Sequence, residues 1–154
     1  MAAKPARPLA QAGQDWLLSC TASPATVQRA WAAEELAALT TGEHWRVAEA
    51  PLLPTVDALK RIGSNRLGPV LADVTVQLAW WLLPTSLGDE LDDVRQLTVR
   101  PRGWVLKCPP VLYSLDGRLW LERPDGSGRL TDPILLGAAF GPGGGPRLPA
   151  EAFG

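Results

Sequence analysis

Apolar and polar positions change their period several times along this chain. Asp15 to Cys20 is a short apolar patch, enough for a helical turn or two. Ser23-Pro24 then forms a helix start, a serine N-cap followed by proline at the first helical position. In ATVQRAWAAEELAALTTG, Val27, Ala30, Trp31, Glu34 or Glu35, and Ala38 fall at helical spacing. The pattern predicts a helix that stops at Gly42, with Trp31 and Leu39 facing the core.

Beyond Gly42 the period drops to two. His44 to Glu49 alternates like a strand and ends at Pro51. Pro54-Thr55 opens a second helix that runs through Leu59 and Ile62 to Gly63. Gly68 to Ala72 reads as a strand, and Val76 to Leu83 as another whose nearly unbroken apolarity marks it as central. On such a strand Trp80 and Trp81 point to opposite faces. Thr85 to Val94, with Ser86 as cap and acids in its first turns, predicts a short helix. Leu97 to Val99, Trp104 to Lys107 and Leu119 to Glu122 are further strands, with a hairpin turn at Asp116-Gly117. Asp132-Pro133 starts a last helix reaching Phe140.

From His44 the order is therefore β-α-β-β-α-β followed by more strands. It predicts an α+β fold with a ferredoxin- or RRM-like split βαβ core, in which an antiparallel or mixed sheet carries both helices on one face. An N-terminal helical segment and a C-terminal hairpin are added to it. Residues 1–13, rich in Ala, Pro and Gln, and the tail 141–154, GPGGGPRLPAEAFG, are expected to be flexible. Residues 14–140 remain as a single domain.

Composition narrows the class. With 154 residues, 46% of them hydrophobic and 20% charged, the chain has the make-up of a globular domain that needs no staples. Seven Trp against two Phe and one Tyr, with Arg favoured over Lys, suggests a GC-rich bacterial genome. Net charge is −1, too small to draw the protein to nucleic acid or membrane. The charge is nonetheless uneven: Glu34 to Asp93 nets −6, and Arg95 to Arg129 nets +4. Either the two halves neutralise each other or the basic part faces an anionic partner. Met1 to Leu9 lacks the apolar stretch of a signal peptide, and no run approaches a membrane span. A cytoplasmic protein without a membrane partner is expected.

Candidate chemistry is sparse. Cys20 and Cys108 form no Cys-x-x-Cys pair and read as small buried hydrophobes. His44 is the only histidine, so a triad or zinc site would have to be built around one imidazole. Asp89, Glu90, Asp92 and Asp93 lack the spacing of a calcium loop and suit a helix N-terminus. The glycine-rich 141–147 stretch has neither a P-loop ending nor a dinucleotide fingerprint. Arg123 to Arg129, RPDGSGR, is a turn whose backbone N–H groups and two guanidiniums suit a phosphate, or simply a loop.

Taken in order, the helix VQRAW, the unit HWRVAEAPLLPTVDALKRIG, RLGPVLAD, the strand ending in WWLLP, VLKCPP and GRLWLERPDG resemble a known pattern. It is that of the N-terminal catalytic domain of bifunctional DNA primase/polymerases, the prim-pol group of the archaeo-eukaryotic primase superfamily. The likeness is to the short stand-alone forms of high-GC bacteria and covers Trp16 to Pro133. It implies an RRM-like fold and two-metal nucleotidyl transfer, in which carboxylates hold the ions. It also implies an acidic pair ending the first strand; this chain has Ala48-Glu49-Ala50, with one carboxylate. The family's histidine motif on the third strand has no counterpart in Val76 to Trp81, and its Pro-Pro-Ser segment becomes Pro109-Pro110-Val111.

The resemblance thus implies ancestry with catalysis lost. Glu49, Asp73 and His44 are the catalytic candidates, and none is assigned. No metal or cofactor is expected, Mg²⁺ entering only with a residual nucleotidyltransferase. Three readings are open. The first is a degenerate domain that binds nucleic acid, a nucleotide or a protein. In it Arg100, Arg102, Lys107, Arg118 and Arg123 form an anion-binding face, with Trp104 or Trp120 stacking on single-stranded nucleic acid. The second is a regulatory domain that binds protein alone. The third is a surviving metal-dependent nucleotidyltransferase.

Overall fold

In the computed structural model, which describes residues 6–141, two helices open the chain. Helix α1 spans Ala6–Ser19 and α2 spans Pro24–Ala32. The first takes in residues 6–13 of the stretch expected to be flexible. Gly13 is buried against the Pro124–Asp125 backbone, which fixes the middle of α1 in place. The expected tail lies outside the described residues from position 142 onward.

Helix α2 ends ten residues before Gly42. Glu34, at φ +60°, takes the left-handed position that glycine usually fills, and the Glu35 N–H reaches back to the Ala30 carbonyl. The chain then enters strand β1 (Ala37–Thr40) instead of continuing as helix. Ala37 and Leu39 point inward while Ala38 and Thr40 face solvent, a period of two that the helical reading overlooked.

Strand β2 (Arg46–Pro51) leads directly into α3 (Leu52–Ile62), which stops at Gly63 with φ +90°. Strands β3 (Val70–Asp73) and β4 (Leu78–Leu83) form a hairpin, followed by β5 (Thr98–Val99), β6 (Val105–Cys108), β7 (Arg118–Glu122) and α4 (Pro133–Phe140). Asp132 caps α4, accepting from the Ile134 N–H. The expected helix over Thr85 to Val94 is absent. Four-residue turns replace it, closed by N–H bonds from Asp92 to Asp89, Val94 to Leu91 and Leu97 to Val94. Asp89, Glu90, Asp92 and Asp93 would stack like charges at i,i+3 and i,i+4 in a helix, and Asp competes for backbone groups. Leu87, Leu91, Val94 and Leu97 anchor the segment instead.

Five strands form a sheet in the order β5-β2-β4-β3-β7, every pair antiparallel. Its first four strands have the arrangement of a split βαβ, ferredoxin-like core, with β4 central as its apolarity predicts. The C-terminal hairpin takes another form. Asp116 and Gly117 make a tight turn, φ +53° and +81°, but only Leu115 and Arg118 bridge across it. Strand β6 leaves to pair with β1, and β7 joins β3.

The alternation along β4 divides the core in two. Ala79, Trp81 and Leu83 lie on one face with Ala58 of α3, the 87–97 anchors, and Leu136 and Phe140 of α4. Trp80 and Leu82 lie on the other, under the β1–β6 ribbon and the opening helices, with Leu17, Trp31, Leu39 and Leu106. Both tryptophans are buried, and both faces of the sheet are covered. No helix among the described residues is long and apolar enough to cross a membrane.

Candidate functional site

Trp80 is the hub of the polar network on the ribbon-covered face. In register it lies between Glu49 of β2 and Leu71 of β3, so the three side chains leave the sheet on one side. The Trp80 indole N–H donates to Glu49 Oε1 at 3.0 Å. That oxygen also accepts from Nε and Nη2 of Arg100, at 3.3 and 3.0 Å. Arg100 follows β5, whose pairing with β2 delivers it there, and its guanidinium carbon is 5.4 Å from the centre of the Trp104 ring.

A second arginine lies over the other tryptophan surface. The Arg118 guanidinium carbon is 4.4 Å from the Trp80 ring centre. Its Nε donates to Asp73 Oδ2 at 3.0 Å, and Nη1 donates to the Lys107 carbonyl at 2.6 Å, tying the ribbon to the sheet. Asp73 Oδ1 accepts from the Thr75 amide at 2.9 Å and from the Thr75 hydroxyl at 2.5 Å. Burial works to raise the Asp73 pKa, but the bonds from Thr75 and Arg118 outweigh it and hold the carboxyl below its ordinary value.

The two carboxylates singled out from sequence thus share a face but not a site. Strand β4 lies between them, and Asp73 is two residues past Glu49's level in register. At ordinary strand spacing and rise their Cα atoms are roughly 12 Å apart. Each is also neutralised by its own arginine. His44 is exposed in the bend before β2, at the far end of that strand from Glu49. Among the described residues no three His, Cys, Asp or Glu side chains converge.

The proposed anion-binding residues do not come together as one face. Arg100 and Arg118 turn toward carboxylates. Arg102 is a clamp, donating to the Gly42 carbonyl at 2.8 Å and the Thr85 carbonyl at 2.7 Å. Trp120 is buried, only 6% exposed, and its N–H is used by the Pro109 carbonyl, so neither ring surface is open for stacking. Trp104 is half-buried, and Lys107 and Arg123 are exposed. Cys20 and Cys108 are free and buried, and burial pushes both thiols up, which leaves neither as a thiolate nucleophile.

The turn from Arg123 to Arg129 uses its donors internally. Asp125 Oδ1 takes the Ser127 amide and hydroxyl, the Arg129 amide donates to Ser127 Oγ, and Arg129 Nη1 donates to the Asn65 carbonyl. It lines a crevice of about 50 Å³ with Trp16, Ser64 and Glu122, room for a few waters. Burial and the Asp125 charge push Glu122 up, against the pull of Arg129. Asp125 is held low by the hydroxyl and amide of Ser127.

Comparison of the chain with protein-family models, with curated proteins and with solved structures finds no match. The functional reading rests on the residues themselves. Sequence reasoning missed Trp80 as the bridge between the two ion pairs, because only the strand register sets Glu49 beside it. Glu122 was equally invisible, since its perturbation comes from packing around the 123–129 turn.

Proposed function

We propose that this chain is a non-catalytic binding module on a prim-pol-like scaffold, and that its ligand is a segment of another protein. The observation that carries this reading is the capture of Glu49 and Asp73 by Arg100 and Arg118 on either side of Trp80. Carboxylates that hold divalent ions present oxygens to them; here Glu49 Oε1 and Asp73 Oδ2 each accept from a guanidinium. On this reading the ancestral active face has become a polar seam between sheet and ribbon, partly open to water.

The covered sheet favours a protein over nucleic acid. An RRM-like platform stacks bases on an open sheet face, and here that face carries the ribbon, with Trp120 inside the core. Large apolar side chains are exposed elsewhere, among them Leu53, Val76 and Ile134 at 71%, 55% and 64%. Nucleic-acid binding is the second reading, favoured by exposed Lys107 and Arg123 and the half-buried Trp104.

Fluorescence-anisotropy titration of labelled single-stranded and duplex DNA, at low and moderate salt with Mg²⁺ and then EDTA, separates the two. The protein-partner reading expects no binding at low salt. Salt-sensitive binding that ignores EDTA moves the nucleic-acid reading to first place. Binding that requires Mg²⁺, with nucleotide incorporation, sinks both.

A further inference from the structure

The end of α3, the turn after it and α4 form a groove of about 220 Å³ on the outer surface of the helical layer. Its apolar wall is made by Ile62, Leu135 and Ala138. Ile134 extends it, because residues four apart share one helix face, and its side chain is 64% exposed. The groove is rigidly backed. Phe140 meets Trp81 edge-on with centroids 5.9 Å apart, and Arg61 Nη1 donates to the Ala139 carbonyl at 3.0 Å, joining the two helices.

Its charge is one-sided. Arg61 and Arg66 line it. Neither has a carboxylate within ion-pair distance among the described residues, where the ion pairs are Arg100–Glu49 and Arg118–Asp73. Among the described residues no acid lines the groove. Asp57 lies one turn earlier on α3, and Asp132 is occupied in capping α4. Two arginines with no carboxylate partner among the described residues, beside an apolar wall, leave both features unsatisfied, and one kind of ligand satisfies both.

We infer that this groove docks an amphipathic acidic segment of a protein partner, apolar side chains against Ile62, Leu135 and Ala138 and carboxylates toward Arg61 and Arg66. This rests on the protein-partner reading and names its surface. Helix-in-groove recognition supplies the physics: spaced apolar anchors give affinity, and charges at the margin fix orientation and exclude basic competitors.

The test is a ¹⁵N-resolved NMR titration of the full chain with a synthetic helical peptide carrying leucines at i, i+4 and i+7 among glutamates, and with its lysine-for-glutamate counterpart. The expected result is shifts at Ile62, Leu135 and Ala138 with the acidic peptide only. Arg66→Glu, which breaks none of the hydrogen bonds that join α3 to α4, weakens binding about tenfold with an unchanged circular-dichroism spectrum. No shifts at the groove with the acidic peptide, or equal shifts with the basic one, overturn this inference alone. Single-stranded DNA that shifts the same resonances and displaces the peptide overturns it together with the protein-partner reading.

Discussion

Arg118 makes two interactions at once, its guanidinium carbon 4.4 Å from the centre of the Trp80 ring and its Nε 3.0 Å from Asp73 Oδ2. Asp73 has a side chain only 9% exposed, so the arginine is what makes its charge tolerable there. Arg118→Met keeps much of the stacked volume but leaves that charge unpaired. Its expected cost is about 2–3 kcal/mol, toward the lower end for a broken buried pair because Arg118 itself reaches solvent. Urea unfolding measures it. Adding Asp73→Asn should recover part of the loss, and if the double variant is no more stable than the single one, the ion pair is not the source.

The same carboxylate sets an acid limit. Its folded pKa is lowered, so its contribution is fully present above the unfolded value, about 3.9, and is lost as pH falls through the folded pKa. Wild type should therefore lose stability more steeply in acid than Asp73→Asn does. Urea midpoints taken stepwise below neutral pH would reveal parallel curves if Asp73 contributes nothing.

Glu122 works in the opposite sense. Burial and Asp125 raise its pKa, so the stability tied to its protonated form is complete below the unfolded value and disappears as pH rises through the folded one. Glu122→Gln removes a desolvated charge at neutral pH. It should raise the urea midpoint there and match wild type in acid, where both side chains are neutral. A variant less stable than wild type at neutral pH would show that Arg129 outweighs burial.

What could be read from sequence divides along physical lines. Leu78 to Leu83 was legible as a central strand because burial on both faces removes polar positions, although Val76 and Gln77, read into the same strand, lie in the exposed turn before it; α3 was legible because Gly63 ends it. The strand at Ala37–Thr40 was not. Alanine favours helix over strand, and the decisive event is the left-handed turn at Glu34, a residue that rarely adopts one. Over Thr85 to Val94 the spacing of Leu87, Leu91 and Val94 imitates a helix, while the acids between them prevent it. At the site, Glu49 and Asp73 could be picked out as the carboxylates to watch. Their arginine partners could not, since Arg100 and Arg118 lie 51 and 45 residues away and only the sheet order brings them close.

Gly13 offers a test of the ordered N-terminal helix. In an exposed helix, Gly→Ala gains about 1 kcal/mol. Here an added Cβ would clash with the Pro124 carbonyl and lie 3.3 Å from the Asp125 amide nitrogen, backbone atoms that cannot rotate aside. The overlap should win, with Gly13→Ala lowering stability by about 1–3 kcal/mol. Thermal unfolding with an unchanged or higher midpoint would mean that α1 does not pack on the 123–129 turn.

Glu49 decides between a vacated metal site and a structural one. A carboxylate kept for a metal is strained without it, and replacing it by an amide commonly stabilises the empty protein. Glu49 already accepts from the Trp80 indole and twice from Arg100. Glu49→Gln weakens these charge-assisted bonds, so the expected change is a lower melting temperature, by about 1–2 kcal/mol in stability for a seam that is partly open to water. Millimolar Mg²⁺ or Mn²⁺ should leave the wild-type midpoint where it was, because a ligand that binds neither state shifts nothing. A rise in midpoint with Glu49→Gln, together with a metal-dependent rise in wild type, would return this face to nucleotidyl-transfer chemistry.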